Sequence, residues 1–323
     1  MNDSIASDAA HHSGLNHPAG TTEQIAIADQ AGLADAMFNH DARLAPEGSF
    51  RGQPILGVVL GSGLGGLADQ IETPHCISFR DMPGLPGTTA TGHRGQFIVG
   101  TLSGCPIVAM AGRLHFYEGH PLETVTHPIR IMHAAGISSL VVSCAAGGLN
   151  PRLQTGDLAV LDETISWIGA AMGRLPNASS AIELPVPRPR PLRIDQNLVN
   201  VAEAVAHRDG FTLHRATYLA VNGPNYETRA ECRMMRTIGV DVVGMSTVPE
   251  CLMAASLGMR LLPIAVVTNM AIPDAPVTAA HDDVLDVSNR AGVKLQQIVI
   301  AIADRLRRGG PDAIKQVNKD RRS

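Results

Sequence analysis

The residues best suited to chemistry stand together in the stretch AGRLHFYEGH, residues 111–120, directly after an apolar run. In an extended segment residues i and i+2 share a face, so Arg113, His115 and Tyr117 are predicted to point the same way. A guanidinium offers a planar fork that suits phosphate, and an imidazole adds a second donor. Because α/β folds bind ligands at the carboxyl ends of their strands, we interpret this stretch as part of an anion site rather than as a structural surface pair.

A glycine loop follows the first apolar strand. Residues 61–66, GSGLGG, match the dinucleotide fingerprint G-x-G-x-x-G, and Asp81 lies about twenty residues further on, where a ribose-binding acid would stand. An NAD-dependent oxidoreductase is therefore one hypothesis. Against it, Pro74 limits the following helix to about residues 65–71, and the motif His93-Arg94-Gly95 interrupts the next strand and helix unit.

The same loop has two simpler interpretations. It contains no lysine, which excludes a Walker-type nucleotide site. Backbone N–H groups at the end of a strand, together with the hydroxyl of Ser62, would form a site for one phosphate ion. A tight turn that binds no ligand explains the glycines as well, so this motif alone leaves both interpretations open.

Polar residues also follow other predicted strands. In NGPNYET, residues 222–228, Tyr226 is suited to stack on a flat ligand and Glu227 to accept hydrogen bonds from it, although Glu227 would also serve a helix dipole. Ser246 precedes a helix, Asn269 follows the last buried strand and His281 opens the final helix. These residues predict an oxyanion site (Ser62, Arg113, His115, Ser246) and a site for a flat heterocycle (Tyr226, Glu227, Asn269).

Composition narrows the class of protein. Of 323 residues, 45% are hydrophobic and 17% charged, which indicates a globular chain with a substantial core. A formal charge of −4 and 3% aromatics argue against a nucleic-acid or membrane partner. Five widely spaced cysteines without a C-x-x-C pair support neither a disulfide framework nor a zinc site, so a reduced, cytoplasmic protein is expected. No apolar run reaches the roughly 18 residues of a membrane span, and the N-terminus does not resemble a secretory signal.

Strand-like and helix-like segments alternate along the chain. Strands are predicted at 55–60, 96–102, 107–110, 139–143, 157–162, 216–221, 241–245 and 262–268. Helices are predicted at 21–40, 122–135, 196–208, 228–238, 249–257 and 282–308. This alternation indicates an α/β fold, a single domain with a central mixed β-sheet flanked by helices.

The ends of the chain and one internal segment differ from this pattern. Residues 1–20 are predicted to form a disordered tail, residues 21–309 the domain, and residues 310–323 a basic tail. The proline-rich segment 170–191 is predicted to be a long surface loop, since it suits neither a long helix nor a central strand.

Six motifs in order carry a resemblance to a known family. They are VVLGSGLGGLA, GHRG, AGRLHFYEGH, CAAGGLNPRLQTGDL, GPNYETRAECRMMRTIGVDVVGMSTVPE and VVTN. The chain resembles the trimeric (class I) purine nucleoside phosphorylases from about residue 55 to the last helix. The resemblance implies a nucleoside phosphorylase fold and phosphorolysis of purine nucleosides to the free base and ribose 1-phosphate, as in purine salvage.

The resemblance also assigns roles to residues. It implies a phosphate site at Ser62, His93, Arg113, Leu114, His115, the backbone of Ala145, and Ser246. It implies nucleoside contacts from Tyr117, Tyr226, Glu227, Met245, Asn269 and His281, and it implies that Asn269, Glu227 and His115 are the catalytic residues. Glu118 and His120 are predicted only to hold the loop. No metal or organic cofactor is implied, inorganic phosphate is the co-substrate, and a homotrimer is expected.

The base preference and two departures from the family pattern leave alternatives open. Glu227 with Asn269 favours inosine and guanosine, whereas the similar methylthioadenosine phosphorylases typically carry Ser and Asp at these positions. Cys144 stands where the family usually has Asn, and segment 170–191 offers no aromatic after Trp167 for a neighbouring subunit. A methylthioadenosine-type phosphorylase and a nucleoside binder without turnover are therefore alternatives.

Overall fold

The computed structural model describes residues 55–61, 65–90, 92–168, 192–273 and 281–309. The predicted helix at 21–40, both predicted tails, the proline-rich segment and Ser62 lie outside these residues. The statements below refer to the described part of the chain.

Nine strands of this part form one mixed sheet. They are β1 (Ile55–Leu60), β2 (Glu72–Ser78), β3 (Gln96–Leu102), β4 (Cys105–Ala111), β5 (Ile137–Gly148), β6 (Leu158–Ser166), β7 (Leu213–Ala220), β8 (Val242–Gly244) and β9 (Arg260–Met270). The order is β2-β3-β4-β1-β5-β8-β7-β6-β9, and β5 also pairs with β9. The last five strands therefore close into a ring, while β2, β3, β4 and β1 extend from it as an open sheet.

Five longer helices cover the sheet on both faces. They are α1 (Leu122–Ala134), α2 (Gln196–Asp209), α3 (Arg229–Thr237), α4 (Val248–Ser256) and α5 (His281–Gly309). Successive strand residues point to opposite faces. Val58 accordingly packs in the core that includes Leu295 of α5, whereas Val59 packs in the core that includes Met132 of α1 and Ala254 of α4. Both cores are buried, as the predicted α/β fold requires. None of these helices combines the length and apolar character needed to cross a bilayer.

Parallel pairing brings the predicted site residues to one edge of the sheet. β1 lies between β4 and β5 and is parallel to both, with Leu60 opposite Ala111 and Val59 opposite Val142. The segments that follow β1 and β4 therefore leave the sheet beside the second half of β5. There Gly147 pairs with both Val243 and Asn269, so β8 and β9 end at the same place.

Two elements differ most from the sequence-based prediction. The sequence of the segment ETPHCIS does not predict a strand, because it contains Pro74 and mostly polar residues. It forms β2, an edge strand paired only with β3, and proline is tolerated at an edge. β5 extends to Gly148 instead of ending at Ser143, because β9 pairs with the Cys-Ala-Ala-Gly-Gly segment throughout.

Candidate active site

The first turn of the site is held by a buried serine. The Gly61 N–H donates to Ser143 Oγ at 3.3 Å, and Ser143 Oγ donates to the Val59 carbonyl at 2.7 Å. A Cβ at Gly61 would lie 2.9 Å from the Cys144 Cα, so only glycine lets this loop pass so close to β5. The loop therefore starts against the middle of β5. The phosphate role of Ser62, which lies outside the described residues, stays a prediction.

Arg113 is a buried arginine with fixed partners. Its side chain is 1% exposed, and Nη1 donates to Glu250 Oε1 at 2.9 Å and to Thr247 Oγ1 at 3.3 Å. Nη2 donates to the Ser143 carbonyl. The guanidinium thus joins the end of β4 to β5 and to the start of α4, and its orientation is set from three sides.

Two imidazoles and a phenol ring lie next to one another beside this arginine. His93 Nδ1 accepts from the Arg113 backbone N–H at 2.9 Å. The His93 and His115 ring centroids are 4.9 Å apart, and Tyr117 stacks on His115 at 4.7 Å. The extended segment ends at His115, which caps a 3-10 turn, Phe116–Glu118, so Tyr117 reaches His115 through this turn and not by strand alternation. Leu114 is buried in the core, which leaves only its backbone for a ligand.

Glu118 holds the loop, as the sequence predicts. Its Oε1 accepts from the His115 N–H at 2.7 Å, and its Oε2 accepts from the Thr89 N–H at 2.7 Å and from the Thr89 hydroxyl at 2.6 Å. Burial opposes ionisation of this carboxyl, but the hydrogen bonds from His115 and Thr89 outweigh it and lower its pKa far below the ordinary value. Glu118 is therefore an anionic anchor for the loop that presents His115.

Stability is expected to fall in mild acid because of His93. Burial, with a smaller effect of His115, lowers the pKa of His93 from 6.5 to about 4. The unfolded chain takes up this proton near pH 6.5, so the stability that His93 contributes is complete above that pH and is lost as pH falls towards 4. The free energy of unfolding should decrease by about 2 kcal/mol from pH 7 to pH 5, measured with urea in phosphate-free buffer.

The His93→Gln variant is expected to flatten this dependence. His127, whose pKa is also lowered by burial, gives a separate contribution of the same sign, so His127→Gln is the comparison. Glu118 adds to the loss only below about pH 5, because its pKa is lowered in the folded protein and the unfolded carboxyl takes up its proton near its ordinary value of 4.5. An unchanged slope in His93→Gln would contradict this assignment.

A strained turn presents Ser246. Thr247 has φ 75° and ψ −51°, and the Val248 N–H donates to the Ser246 carbonyl at 2.8 Å, which makes Thr247 the centre of a γ-turn with positive φ. Such a conformation is unfavourable for a β-branched residue. Glu250 Oε2 accepts from the Thr247 N–H at 2.6 Å, and the Tyr218 hydroxyl donates to the Ser246 carbonyl at 3.1 Å. The backbone of Ser246 is thus fixed before α4 begins.

Gly223 shows that the phosphate side and the nucleoside side of the predicted site meet. It has φ 69°, and a Cβ there would lie 2.5 Å from Met245 Sδ and 3.0 Å from Tyr117 Cδ1. Glycine is required because these side chains pack against its backbone. The loop after β4, the end of β8 and the loop after β7 therefore converge, and Tyr117 contacts His115 on one side and the Gly223 loop on the other.

The Glu227 carboxylate does not form the capping box of α3. Thr228 is the N-cap of α3, and Glu231 completes the capping box by accepting from the Thr228 N–H at 2.7 Å. Burial raises the pKa of Glu227, and its carboxyl takes no part in this capping box. Tyr226, the predicted stacking residue, is 44% exposed.

Asn269 is oriented by its neighbour. It lies near the end of β9 opposite Gly147, and Thr268 Oγ1 donates to Asn269 Oδ1 at 3.1 Å. This contact engages the amide oxygen and leaves Nδ2 as a donor. A Cβ at Gly147 would lie 3.5 Å from Nδ2, an ordinary van der Waals distance, so the amide lies directly beside this glycine. α5 begins at His281, whose side chain lies outside the described part of the chain.

Comparisons with known proteins agree with this arrangement. The family model of the phosphorylase superfamily matches residues 55–304. Purine nucleoside phosphorylase 1 of Bacillus subtilis (strain 168) is 41% identical over 261 residues, 77% of this chain and 91% of the relative. The Bos taurus purine nucleoside phosphorylase is 36% identical over 255 residues, 76% of this chain and 87% of the relative. This chain belongs to the purine nucleoside phosphorylase family.

A solved member of the family shares the fold. The crystal structure of the Schistosoma mansoni purine nucleoside phosphorylase in complex with inosine aligns with a TM-score of 0.71 and 33% identity, over 83% of this chain and 95% of that one.

The structure does not support the dinucleotide hypothesis, which requires an α-helix and a parallel strand after the glycine loop. The glycine loop leads only into a 3-10 helix, Gly65–Gln70, and then into the antiparallel strand β2. Among the described residues, no group of three His, Cys, Asp or Glu side chains is placed to hold a metal ion.

Cys144, which stands where the family usually has Asn, lies beside Arg113, Thr247 and Tyr218. Cys144 is 2% exposed, and burial raises the pKa of its thiol, with Thr247 and Tyr218 as neighbouring hydrogen-bonding groups. A buried neutral thiol is a weak donor. The backbone of β5 keeps its path here, since Ala145 pairs with Val266.

Four residues of the site were not predicted from the sequence. They are Ser143, Tyr218, Thr247 as an orienting group, and Glu250. Only the last pair had a local signal, because Thr247-Val-Pro-Glu250 matches the capping-box spacing. Glu250 and Arg113 are 137 positions apart, so no local sequence pattern predicts their ion pair.

Proposed function

We propose that this purine nucleoside phosphorylase cleaves the N-glycosidic bond of 6-oxopurine nucleosides, inosine and guanosine and their deoxy forms, with inorganic phosphate. The observation that carries the proposal is the convergence at Tyr117. Its ring stacks on His115 in the arginine and histidine cluster, and it packs against the Gly223 loop together with Met245. An oxyanion and a sugar bound on these two sides would be in contact with each other.

The phosphate side suits a nucleophile that must be held still. Departure of the purine leaves positive charge on the ribosyl ring, as in other glycosyl transfers. A phosphate dianion beneath the ring would support that charge, and donors with fixed positions would align it for attack. In this proposal Ser62, His93, Arg113, Leu114 through its backbone, His115, Ala145 through its backbone, and Ser246 hold the phosphate.

The nucleoside side suits a 6-oxopurine. In this proposal Tyr117 and Met245 line the ribose, Tyr226 packs on the base, and His281 faces the 5′-hydroxyl. Glu227, not required for capping, would accept from the N–H groups of the pyrimidine edge. The Asn269 Nδ2 donor would serve N7 or the 6-oxo group, which stabilises a leaving base that carries negative charge.

A direct assay tests the proposal. Hypoxanthine release from inosine is followed with and without phosphate, and guanosine, adenosine and methylthioadenosine complete the panel. We expect release from inosine and guanosine that depends on phosphate and produces ribose 1-phosphate. Preference for methylthioadenosine would favour the sister activity, and binding of guanine and phosphate without product would favour a binder without turnover.

We further propose that the protein acts as a homotrimer in the cytoplasm and uses no metal or organic cofactor. The family resemblance supports the trimer, and five free cysteines support a reducing compartment. Sedimentation equilibrium tests the trimer, since a monomer mass at micromolar concentration would exclude it. Undiminished phosphorolysis after dialysis against a chelator would support the absence of a metal.

A further inference from the structure

Glu250 links the two anion-binding elements of the site through one carboxylate. It is 1% exposed, with Oε1 at 2.9 Å from Arg113 Nη1 and Oε2 at 2.6 Å from the Thr247 N–H. The first oxygen orients the guanidinium that follows β4. The second holds the γ-turn that precedes α4 and carries Ser246. One side chain therefore sets the relative position of a cationic donor and a hydroxyl donor that lie far apart in the sequence.

Helix capping alone does not explain the burial of this carboxylate. α3 has a capping box of the same form, in which Glu231 accepts from the Thr228 N–H at 2.7 Å. That glutamate is exposed, and its carboxylate accepts from the N–H and the hydroxyl of Thr228. Burying a carboxylate against an arginine incurs a desolvation penalty, and such a pair is weak evidence for a purely stabilising role.

The surrounding contacts leave few alternative arrangements for the pair. Arg113 Nη2 donates to the Ser143 carbonyl, and Nη1 also reaches Thr247 Oγ1 at 3.3 Å. Ser246 Oγ lies 3.3 Å from the same threonine hydroxyl. A change in the Glu250 carboxylate would therefore be transmitted to Arg113 through Nη1 and to Ser246 through Thr247. It would reach the nucleoside residues Glu227 and Asn269 by neither route.

We propose that Glu250 is a positioning residue for phosphate: it holds Arg113 and the Ser246 turn in the spacing that one phosphate ion requires. This proposal rests on the proposed function, because it assigns these two groups to phosphate. It predicts an effect on phosphate that is separate from any effect on the nucleoside.

The Glu250→Gln variant tests it with little change in shape. A neutral amide has one acceptor oxygen and one donor nitrogen, so it satisfies either Arg113 or the Thr247 N–H but not both. We expect the KM for phosphate to rise roughly tenfold or more, while the KM for inosine at saturating phosphate changes by less than about twofold. High phosphate should restore most of the rate. The matched control is Glu231→Gln, the other capping-box carboxylate, which should leave the KM for phosphate unchanged.

A second variant and a binding measurement test the proposal even if Glu250→Gln does not fold. Glu250→Asp retains the charge but is one methylene shorter, and we expect a smaller rise in the KM for phosphate even if Glu250→Gln does not fold. Calorimetric titration of each protein with inorganic phosphate alone provides a readout that needs no turnover. If the unmodified protein binds phosphate but does not cleave inosine, the proposed function fails, and weaker binding by Glu250→Gln would still support the positioning role. Phosphate affinity and KM within about twofold of the unmodified protein in both variants would overturn the proposal.

Discussion

The Arg113→Ala variant is expected to bind phosphate more weakly by about 2–4 kcal/mol, since it removes charge-assisted hydrogen bonds to the anion. It is also expected to lose about 3–5 kcal/mol of unfolding free energy, because Glu250 would remain buried without its cationic partner. Arg113 and Glu250 are each 1% exposed, so the carboxylate and its partner are both buried in the folded protein. Phosphate titration calorimetry and urea unfolding measure the two effects separately.

The double variant Arg113→Met with Glu250→Met separates stability from binding. Replacing both members of a buried ion pair by apolar residues is often close to neutral, so we expect part of the unfolding free energy to return, although the Thr247 N–H and the Ser143 carbonyl lose these partners. Phosphate binding should stay as weak as in Arg113→Ala. The control is Arg94→Ala, which removes an exposed arginine next to His93 and should change phosphate affinity by less than about twofold. Recovery of phosphate binding in the double variant would refute a direct role of Arg113.

The Asn269→Asp variant is expected to move the preference from inosine towards adenosine. The Thr268 hydroxyl, 3.1 Å from Asn269 Oδ1, donates equally well to a carboxylate oxygen, so the side chain should keep its orientation. The group facing the base then changes from an amide donor to an acceptor, which suits a 6-amino group and repels a 6-oxo group. We expect the ratio of kcat/KM for adenosine to that for inosine to rise on the order of 100-fold, about 2.7 kcal/mol.

Two comparisons sharpen this test. Asn197→Asp, near the start of α2 and away from the site, introduces the same charge and should leave the ratio unchanged. Asn269→Ala removes donor and acceptor together, so it should lower activity on both nucleosides without reversing their order. An unchanged ratio in Asn269→Asp would contradict the placement of this residue at the 6-position of the base.

Most helices and strands could be predicted because their patterns are local. The apolar runs of β1, β3 and β9 and the periodicity of α2 and α5 depend on neighbouring residues, and the structure confirms these elements with small shifts of their ends. β2 was missed because its polar and proline-containing sequence fits a strand only at an exposed edge. The second half of β5 was missed because Ala and Gly have little strand preference until β9 pairs with them.

The sequence by itself predicts the chemistry, because residue types carry that prediction: Arg113 and His115 for an anion, Glu227 and Asn269 for a base, at the ends of predicted strands. The tertiary structure alone decided how these groups are held. The Arg113 to Glu250 pair and the Ser143 to Gly61 contact join positions 137 and 82 residues apart, and the Tyr117, Gly223 and Met245 contact joins three separate loops. Such contacts follow from the pairing of β1, β4, β5, β8 and β9 at one edge, because strand order and register, which local sequence does not encode, determine which loops meet.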